Sequence, residues 1–239
     1  MVGRIDDSDF VREQYATEAN LAARKAVYAT ATGPDAPQLV FAAVAEANPK
    51  RVVEVGGGEG ELAERIVREL GAKLVAIDHS QRMVEIQRGK GLDARVGDVQ
   101  ELPFGDGEFD VAVAAWMLYH VPDLDRALAE LARVLEPGGR LVAVTNSREH
   151  LRELTDLAGV DRLNRGSQFR SENGEELLRR HFARVERRDA HGWVTFDDAA
   201  LRAYAGSWET LSPLLELPPR REPLRARRES SIFVAEKAA

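Results

Sequence analysis

The sequence contains no cysteine in its 239 residues. This absence excludes disulfide bonds, thiolate nucleophiles, iron–sulfur clusters and zinc sites built from cysteine. Five histidines are present, but none of them stands at the H-x-x-x-H spacing of a helical zinc site, so we expect no metal centre. With 44% hydrophobic and 31% charged residues, the remaining composition is typical of a folded globular protein.

Long apolar segments are also missing from the sequence. The first eight residues include charged side chains and no apolar stretch of the kind that a signal peptide needs. The longest strictly apolar run, residues 111–118, is far shorter than the ~20 residues of a membrane-spanning helix. We therefore expect a cytoplasmic protein with no membrane partner.

An excess of positive charge is absent as well, because the formal net charge is -7. A nucleic-acid partner is not expected, since phosphate binding usually leaves a basic surface. The acidic excess lies in residues 1–145, with a net charge of -8, whereas residues 146–239 carry +1. The two parts of the chain are therefore expected to have different functions.

The hydrophobic pattern divides the chain into three parts. Residues 1–48 are predicted to be a helical lid, with one helix capped by Ser8 or Asp9 and a second over residues 37–47. Residues 49–146 alternate between strands and helices, and residues 147–239 are predicted to cap the acceptor side and complete the sheet within a single domain. In the central part, strands are predicted at 51–55, 73–78, 93–96, 110–115 and 140–145, and helices at 61–70, 81–88 and 124–135. In the last part, the pattern predicts helices at 175–181 and 197–211, one or two strands within 184–195, and a short strand at 231–236.

The alternation of strands and helices predicts the fold class. Strands that are apolar throughout are typical of parallel sheets covered by helices on both faces. We therefore expect an α/β protein with a Rossmann-like, doubly wound, mostly parallel sheet.

A glycine-rich turn follows the first predicted strand, in the segment Glu-Val-Gly-Gly-Gly-Glu-Gly at residues 54–60. Gly56, Gly58 and Gly60 allow the positive φ angles of a sharp strand-to-helix turn, and they let a ligand lie against the backbone. The spacing is not the dinucleotide pattern G-x-G-x-x-G, because the third glycine stands at position 60. A tight turn without a ligand is the alternative interpretation.

Two carboxylates follow the next predicted strands. Asp78 ends the second strand, where it can accept hydrogen bonds from both hydroxyl groups of a ribose; the alternative is a helix N-cap. Asp98 follows the third strand and can accept a hydrogen bond from an exocyclic amine such as that of adenine; the alternative is an ordinary turn aspartate.

Together these motifs resemble a known family. The motifs occur in order as Glu54-Val-Gly-Gly-Gly-Glu-Gly60, Ala76-Ile-Asp78, Gly97-Asp98, Leu102-Pro103-Phe104, Phe109-Asp110-Val111 and Leu135-Glu-Pro-Gly-Gly-Arg-Leu141. They look like class I S-adenosylmethionine-dependent methyltransferases, in particular the type 11 small-molecule group. The resemblance is strong over residues 50–146 and loose elsewhere. It implies a seven-stranded sheet with an antiparallel last strand, in which residues 184–190 and 231–236 supply the final two strands.

The resemblance also implies a binding site for S-adenosyl-L-methionine, with S-adenosyl-L-homocysteine as the product. The implied cofactor contacts are Tyr15 and Arg24 in the lid, Glu54, Gly56, Gly57, Gly58 and Gly60 at the glycine-rich turn, Asp78 and His79 with Met83 after the second strand, Gly97, Asp98 and Val99 after the third, and Ala114 and Ala115 at the end of the fourth. By this resemblance, Asp78 would bind the ribose, and Asp98 and Val99 would contact the adenine. Arg24 would pair with the carboxylate of the cofactor. The chain departs from the family at Glu54, where aspartate is common, and at Gly57, where cysteine is common.

The acceptor side is expected at the loop after the fourth strand, residues 116–122. There His120 is a candidate general base and Tyr119 a candidate for orienting the acceptor; alternatively, both pack the loop. A base is required only if the attacking atom must lose a proton, because a sulfonium methyl group is already activated. A basic cluster before the last predicted strand either meets an anionic group of the substrate or lies in a solvated loop; it comprises Arg220, Arg221, Arg225, Arg227 and Arg228.

The sequence therefore predicts a methyltransferase acting on an O, N or C atom of a small metabolite. Three alternatives stay open: an RNA or protein methyltransferase, a nicotinamide oxidoreductase, and a cofactor-binding module without catalysis. The acidic first half and the absence of an Asn-Pro-Pro-Tyr-type segment at residues 115–118 speak against RNA. The glycine spacing speaks against a nicotinamide enzyme. The sequence does not distinguish a monomer from a homodimer.

Overall fold

The computed structural model describes residues 23–159, 168–208 and 211–239. The predicted first helix and Tyr15 lie outside these residues. The described strands are β1 (Arg51–Val55), β2 (Lys73–Asp78), β3 (Asp93–Val96), β4 (Phe109–Ala115), β5 (Leu135–Asn146), β6 (Arg184–Phe196) and β7 (Leu224–Glu236). The described α-helices are α1 (Ala36–Ala45), α2 (Glu61–Leu70), α3 (Gln81–Gly89), α4 (Leu124–Val134), α5 (Arg152–Ala158), α6 (Gly174–Leu178), α7 (Asp198–Gly206) and α8 (Pro213–Glu216).

The seven strands form one sheet in the order β3-β2-β1-β4-β5-β7-β6. Neighbouring strands from β3 to β5 run parallel, whereas β7 is antiparallel to both β5 and β6. This arrangement confirms the expected fold class, including the single reversed strand at the end of the chain.

Local sequence signals explain why α2 begins and ends where it does. Gly60 and Gly71 flank the helix in the left-handed conformation, with φ of 76° and 67°. Glu61 and Glu64 stand in the first turn and Arg68 in the last, where their charges complement the helix dipole. The observed bounds are those that the pattern predicts.

The structure corrects the predicted strands near the end of the chain. β7 begins at Leu224 rather than at residue 231, and it pairs with β6 over its whole length, from Phe196↔Leu224 to Arg184↔Glu236. β6 is one continuous strand. Arg225, Arg227 and Arg228 therefore lie within a strand, and their interpretation as loop residues is wrong.

Three further predicted bounds also need correction. β5 begins at Leu135 instead of residue 140, directly after α4 ends at Val134. The helices predicted at 175–181 and 197–211 are shorter, ending at Leu178 and Gly206.

The sheet is covered on both faces by apolar side chains. On one face α4 packs against the sheet in a cluster that includes Leu128, Leu131 and Phe233, and on the other α1 and α2 contribute Val44 and Ile66. A third cluster joins residues from the 147–239 part to Val27 of the segment that precedes α1. Its buried members are Val27, Leu151, Leu154, Val194, Phe196, Leu201, Tyr204, Ala205, Leu211, Leu214 and Ala226. Within the described residues, no helix has both the length and the apolar character needed to cross a membrane.

Candidate cofactor and acceptor site

The carboxyl ends of the parallel strands meet at one edge of the sheet. Since β2, β1 and β4 are adjacent, the residues that end them, Asp78, Val55 and Ala115, share that edge. Ligands of open α/β sheets bind in the crevice outside these strand ends. The glycine-rich turn follows β1 at the same edge.

Positive φ angles at three glycines shape the turn between β1 and α2. Gly56, Gly58 and Gly60 have φ of 64°, 56° and 76°. A Cβ atom built on Gly58 meets no atom within 4 Å, whereas one on Gly56 approaches the side chain of Met117 to 2.8 Å. The Gln87 side chain of α3 holds the turn, since its Nε2 donates to the Gly58 carbonyl oxygen over 2.7 Å. The turn therefore leaves open space beside Gly58, where a ligand can approach the backbone.

Glu54 places a carboxyl group beneath this turn. Only 1% of the residue is exposed, and its Oε2 atom accepts no hydrogen bond from the described residues. The same oxygen occupies the position where a Cβ atom on Gly57 would lie. Burial raises the pKa of the Glu54 carboxyl to about 7, and the nearby Asp78 carboxylate shifts it in the same direction.

Asp78 is the second buried carboxylate of this edge, with 5% of the residue exposed. It accepts a hydrogen bond from the Ser80 backbone N–H over 2.9 Å, and His79 Nδ1 lies 3.6 Å from its Oδ1. Burial raises the pKa of Asp78, against the lowering effect of these donors. The N-cap of α3 is Ser80, whose side chain accepts from the Met83 N–H, so the alternative interpretation of Asp78 as a helix cap is wrong.

The predicted adenine-side residues surround the end of β3. Val99 and Met83 are both buried. The Asp98 carboxylate accepts hydrogen bonds from Gln100, through its backbone N–H over 2.9 Å and through Nε2. Gln100 Oε1 in turn accepts from the Asp123 N–H over 2.9 Å. This arrangement ties the Asp98 turn to the start of α4.

A strained residue directly follows β4 beside the glycine-rich turn. Trp116 has a positive φ of 54°, which is uncommon for a bulky side chain. Ala114 is buried, and Ala115 is partly exposed at the strand end. A short 3-10 turn over Leu118–His120 follows, in which the rings of Tyr119 and His120 lie 4.4 Å apart between centroids. The two predicted catalytic residues are thus brought together at the carboxyl end of β4.

Two polar residues that the sequence does not single out hold Trp116 in place. Its indole Nε1 donates to Asn146 Oδ1 over 3.1 Å, and the Ser230 hydroxyl donates to the same oxygen over 2.8 Å. Because an indole N–H can only donate, it fixes which end of the amide faces Trp116. The Asn146 Nδ2 group has no hydrogen-bond partner among the residues that the structure describes, so it is available to a ligand at this edge.

The segment before α1 reaches across the site. Lys25 Nζ forms ion pairs with Glu59 and Glu61 over 2.6 and 2.8 Å, which joins this segment to the glycine-rich turn. Arg24 instead lies over the Trp208 ring at 3.7 Å from its centroid, and it donates to the carbonyl oxygen of Ser207. The two neighbouring cations therefore connect the start of the described chain to the cofactor side and to the cap.

A second link runs from this segment to β7. Tyr28 Oη lies 3.2 Å from His150 Nε2, and the Glu229 backbone N–H donates to His150 Nδ1 over 3.1 Å. His150 Nδ1 lies at the same distance, 3.1 Å, from the Glu229 carbonyl oxygen, so either tautomer of the ring is anchored to the backbone of β7. Burial lowers the pKa of His150 to about 4, so this histidine is neutral at pH 7.

The arginine cluster is divided among several partners. Arg225 stacks over Trp193 at 4.5 Å, Arg227 pairs with Glu153 over 2.9 Å, and Arg228 donates to the Thr32 carbonyl oxygen over 3.1 Å. A cavity of about 520 Å³ lies beside this part of the sheet; its lining includes Thr32, His191, Trp193, Arg227 and Glu229. Within the described ranges, no group of three or more histidine, aspartate or glutamate side chains is arranged to hold a metal ion.

Comparisons with known proteins agree with this arrangement. Residues 53–143 match a family model described as a methyltransferase domain. Over 139 residues the chain is 37% identical to a protein of Oryza sativa subsp. japonica named probable tocopherol O-methyltransferase, chloroplastic, a match that covers 53% of this chain and 38% of that protein. The chain spans half or less of the length of the curated relatives it matches.

Solved structures share the fold at low sequence identity. A Thermotoga maritima protein described as an SAM-dependent methyltransferase, possible histamine N-methyltransferase, superposes with a TM-score of 0.61 and 23% identity, covering 95% of this chain and 98% of that one. The [4+2]-cyclase SpnF superposes with a TM-score of 0.60 and 22% identity, covering 85% and 81%. The central segment, residues 53–143, is thus similar to methyltransferase domains, and the chain shares its fold with a protein described as an SAM-dependent methyltransferase.

Proposed function

We propose that this protein transfers a methyl group from S-adenosylmethionine to an O, N or C atom of a small molecule. One observation carries the proposal: an open glycine-rich turn stands beside two buried carboxyl groups, Glu54 and Asp78, at the edge where the parallel strands end. The name of the rice relative supports an activity of this kind.

The residues present fit this cofactor. A positively charged ligand with a ribose needs carboxylate acceptors, and Glu54 has a buried oxygen without a partner while Asp78 stands at the end of β2. The open space beside Gly58 admits a ligand against the backbone. We assign the ribose to Asp78, the adenine to Asp98, Val99 and Met83, and the methionine part to the glycine-rich turn, with Gly97 and His79 beside them.

The protein contributes to the reaction by aligning the acceptor atom with the methyl group. The bound cofactor supplies a methyl group already activated by its sulfonium, so orientation of the acceptor provides much of the rate. In our proposal Ala114, Ala115 and Trp116 border the reacting centre, and the Asn146 Nδ2 group donates a hydrogen bond to the acceptor. Tyr119 orients the acceptor, and His120 takes up a proton when the attacking atom carries one.

Calorimetry and a transfer assay test the proposal. We expect the protein to bind S-adenosylmethionine and S-adenosylhomocysteine, and the Asp78→Ala variant to lose at least tenfold in affinity, since a charge-assisted hydrogen bond contributes about 1.5–3 kcal/mol. With cofactor labelled in its methyl group, label should pass to a small molecule in a metabolite extract. A protein that binds neither compound would contradict the proposal.

One finding favours a second function. Because a [4+2]-cyclase has the same fold, the second candidate is a protein that binds the cofactor and does not transfer its methyl group. In that case calorimetry would show binding, whereas the extract would stay unlabelled and show a rearranged compound of unchanged mass by chromatography and mass spectrometry.

A further inference from the structure

Glu54 and Asp78 form a pair of buried acids to which no described lysine or arginine is paired. Glu54 is 1% exposed and Asp78 5% exposed. His79 Nδ1 lies 3.6 Å from Asp78 Oδ1, and the Gly58 backbone donates a hydrogen bond to the Asp78 carboxylate. The strands on either side of β1 place Ala76 and Val113 beside Glu54. Neither carboxyl group forms an ion pair with a described lysine or arginine.

Two neighbouring acids in such a place cannot both ionise at low cost. Burial disfavours the charged form of each, and a like charge nearby disfavours it further. Asp78 has the Ser80 N–H as a donor to its carboxylate, whereas the Glu54 Oε2 atom has none. The proton of the pair therefore lies mainly on Glu54, in agreement with the rise of its pKa to about 7.

The backbone around Glu54 keeps this carboxyl group in place. Its Oε2 atom fills the volume in which a side chain at position 57 would begin, and glycine at 57 is what allows this. Gln87 fixes the turn from the other side by its hydrogen bond to Gly58. Glu54 is thus held at the cofactor edge and cannot swing out to water without moving the turn.

We propose that the protonation state of Glu54 depends on the charge of the bound cofactor. The Glu54 carboxyl group holds a proton in the free protein and releases it to solvent when the cationic S-adenosylmethionine binds. S-adenosylhomocysteine has lost the sulfonium charge and removes less of that proton. The protein consequently prefers the charged cofactor over the spent product more strongly as the pH rises from 6 to 8. This inference rests on the proposed function.

Titration calorimetry of the full chain in two buffers of different ionisation enthalpy measures the proton directly. At pH 7 we expect S-adenosylmethionine to release about half a proton per site, since a group with a pKa near the working pH is half protonated. Its affinity should rise about tenfold from pH 6 to pH 8. For S-adenosylhomocysteine both effects should be clearly smaller.

Variants assign the proton to one residue. Glu54→Gln, which resembles the protonated side chain, should show no buffer-dependent enthalpy and should lose the pH-dependent preference for the charged cofactor. His79→Gln tests the neighbouring imidazole, whose Nδ1 atom lies 3.6 Å from Asp78 Oδ1, and it should retain most of the release. Circular dichroism and thermal unfolding check that both variants fold.

Several results would overturn the inference while leaving the proposed function intact. These are binding without proton release in the wild-type protein, equal release with both compounds, or release that disappears in His79→Gln but persists in Glu54→Gln. The wild-type measurement stands even if Glu54→Gln fails to fold. Absence of any binding would instead contradict the proposed function.

Discussion

Glu54 and Gly57 share one space at the end of β1. Relative to the aspartate and cysteine that the sequence resemblance leads us to expect at these positions, the first side chain is longer and the second smaller. The Glu54 Oε2 atom lies where a Cβ atom of residue 57 would be. The sequence displays both departures, but only the structure shows that one compensates for the other.

Because Glu54 and Gly57 share this space, we predict that substitutions at the two positions have non-additive effects on the free energy of unfolding. Gly57 is not among the glycines with positive φ, so Gly57→Ala should strain packing rather than backbone. We expect it to destabilise the protein by about 1–3 kcal/mol, as overpacking does. In a Glu54→Asp background, where the side chain is shorter by one methylene, the same substitution should cost less than half as much.

Urea unfolding of the four proteins in this cycle gives the coupling energy. The control is Gly89→Ala, which also has no positive φ and whose Cβ atom would meet no atom within 4 Å; it should change stability by less than about 1 kcal/mol. Equal costs of Gly57→Ala in both backgrounds would show that the two positions do not compete for space.

At the scale of the element, the sequence predicts best where local signals are complete. The bounds of α2 are correct because an amphipathic pattern stands between two glycines and charged residues mark both ends. β7 is predicted too short because its apolar alternation ends at Ala226, where the next two buried positions are the polar Arg228 and Ser230. Pairing with β6 makes this segment a strand. The turn at Gly58 is local and predictable. The hydrogen bonds that Trp116 and Ser230 donate to Asn146 are not, because pairing of β5 with β7 brings Asn146 and Ser230 together.

The segment before α1 supports a prediction about cofactor release. Lys25 bridges Glu59 of the glycine-rich turn and Glu61 of α2, so Lys25→Ala should free the segment and speed dissociation of S-adenosylmethionine. The side chain is 42% exposed, and exposed ion pairs contribute about 0.2–1 kcal/mol each. We therefore expect a few-fold increase in the dissociation rate, measured by stopped-flow fluorescence.

Salt and a matched substitution distinguish this effect from a general loss of charge. Raising the salt concentration should speed release from the wild type but leave Lys25→Ala almost unchanged, because salt screens exposed pairs. Lys90→Ala removes a longer ion pair to the same helix, with 3.8 Å between Lys90 Nζ and Glu64 Oε2, and should leave the rate unaltered. If both alanine variants behaved alike, the bridge would have no specific role.

At the scale of the whole molecule, the family match and the folding unit differ in extent. The match ends at residue 143, yet the second half of β5 pairs with β7, from Arg140↔Glu236 to Asn146↔Ser230. Phe169, Phe182 and Phe233 are buried in the same cluster as Leu141 and Ala143. The central segment therefore depends on residues that follow it by up to about ninety positions.

A fragment of residues 49–146 should consequently fail to fold by itself. Without β7, β5 becomes an exposed apolar edge that favours aggregation, and the sheet loses one side of its core. We expect no cooperative thermal transition and no binding of S-adenosylmethionine by the fragment, measured by circular dichroism and calorimetry beside the full chain. In the full chain, Phe233→Ala tests the same dependence without truncation and should cost about 3–5 kcal/mol. A fragment that unfolds cooperatively and binds the cofactor would show instead that the central segment is an independent domain and that residues 147–239 serve the acceptor alone.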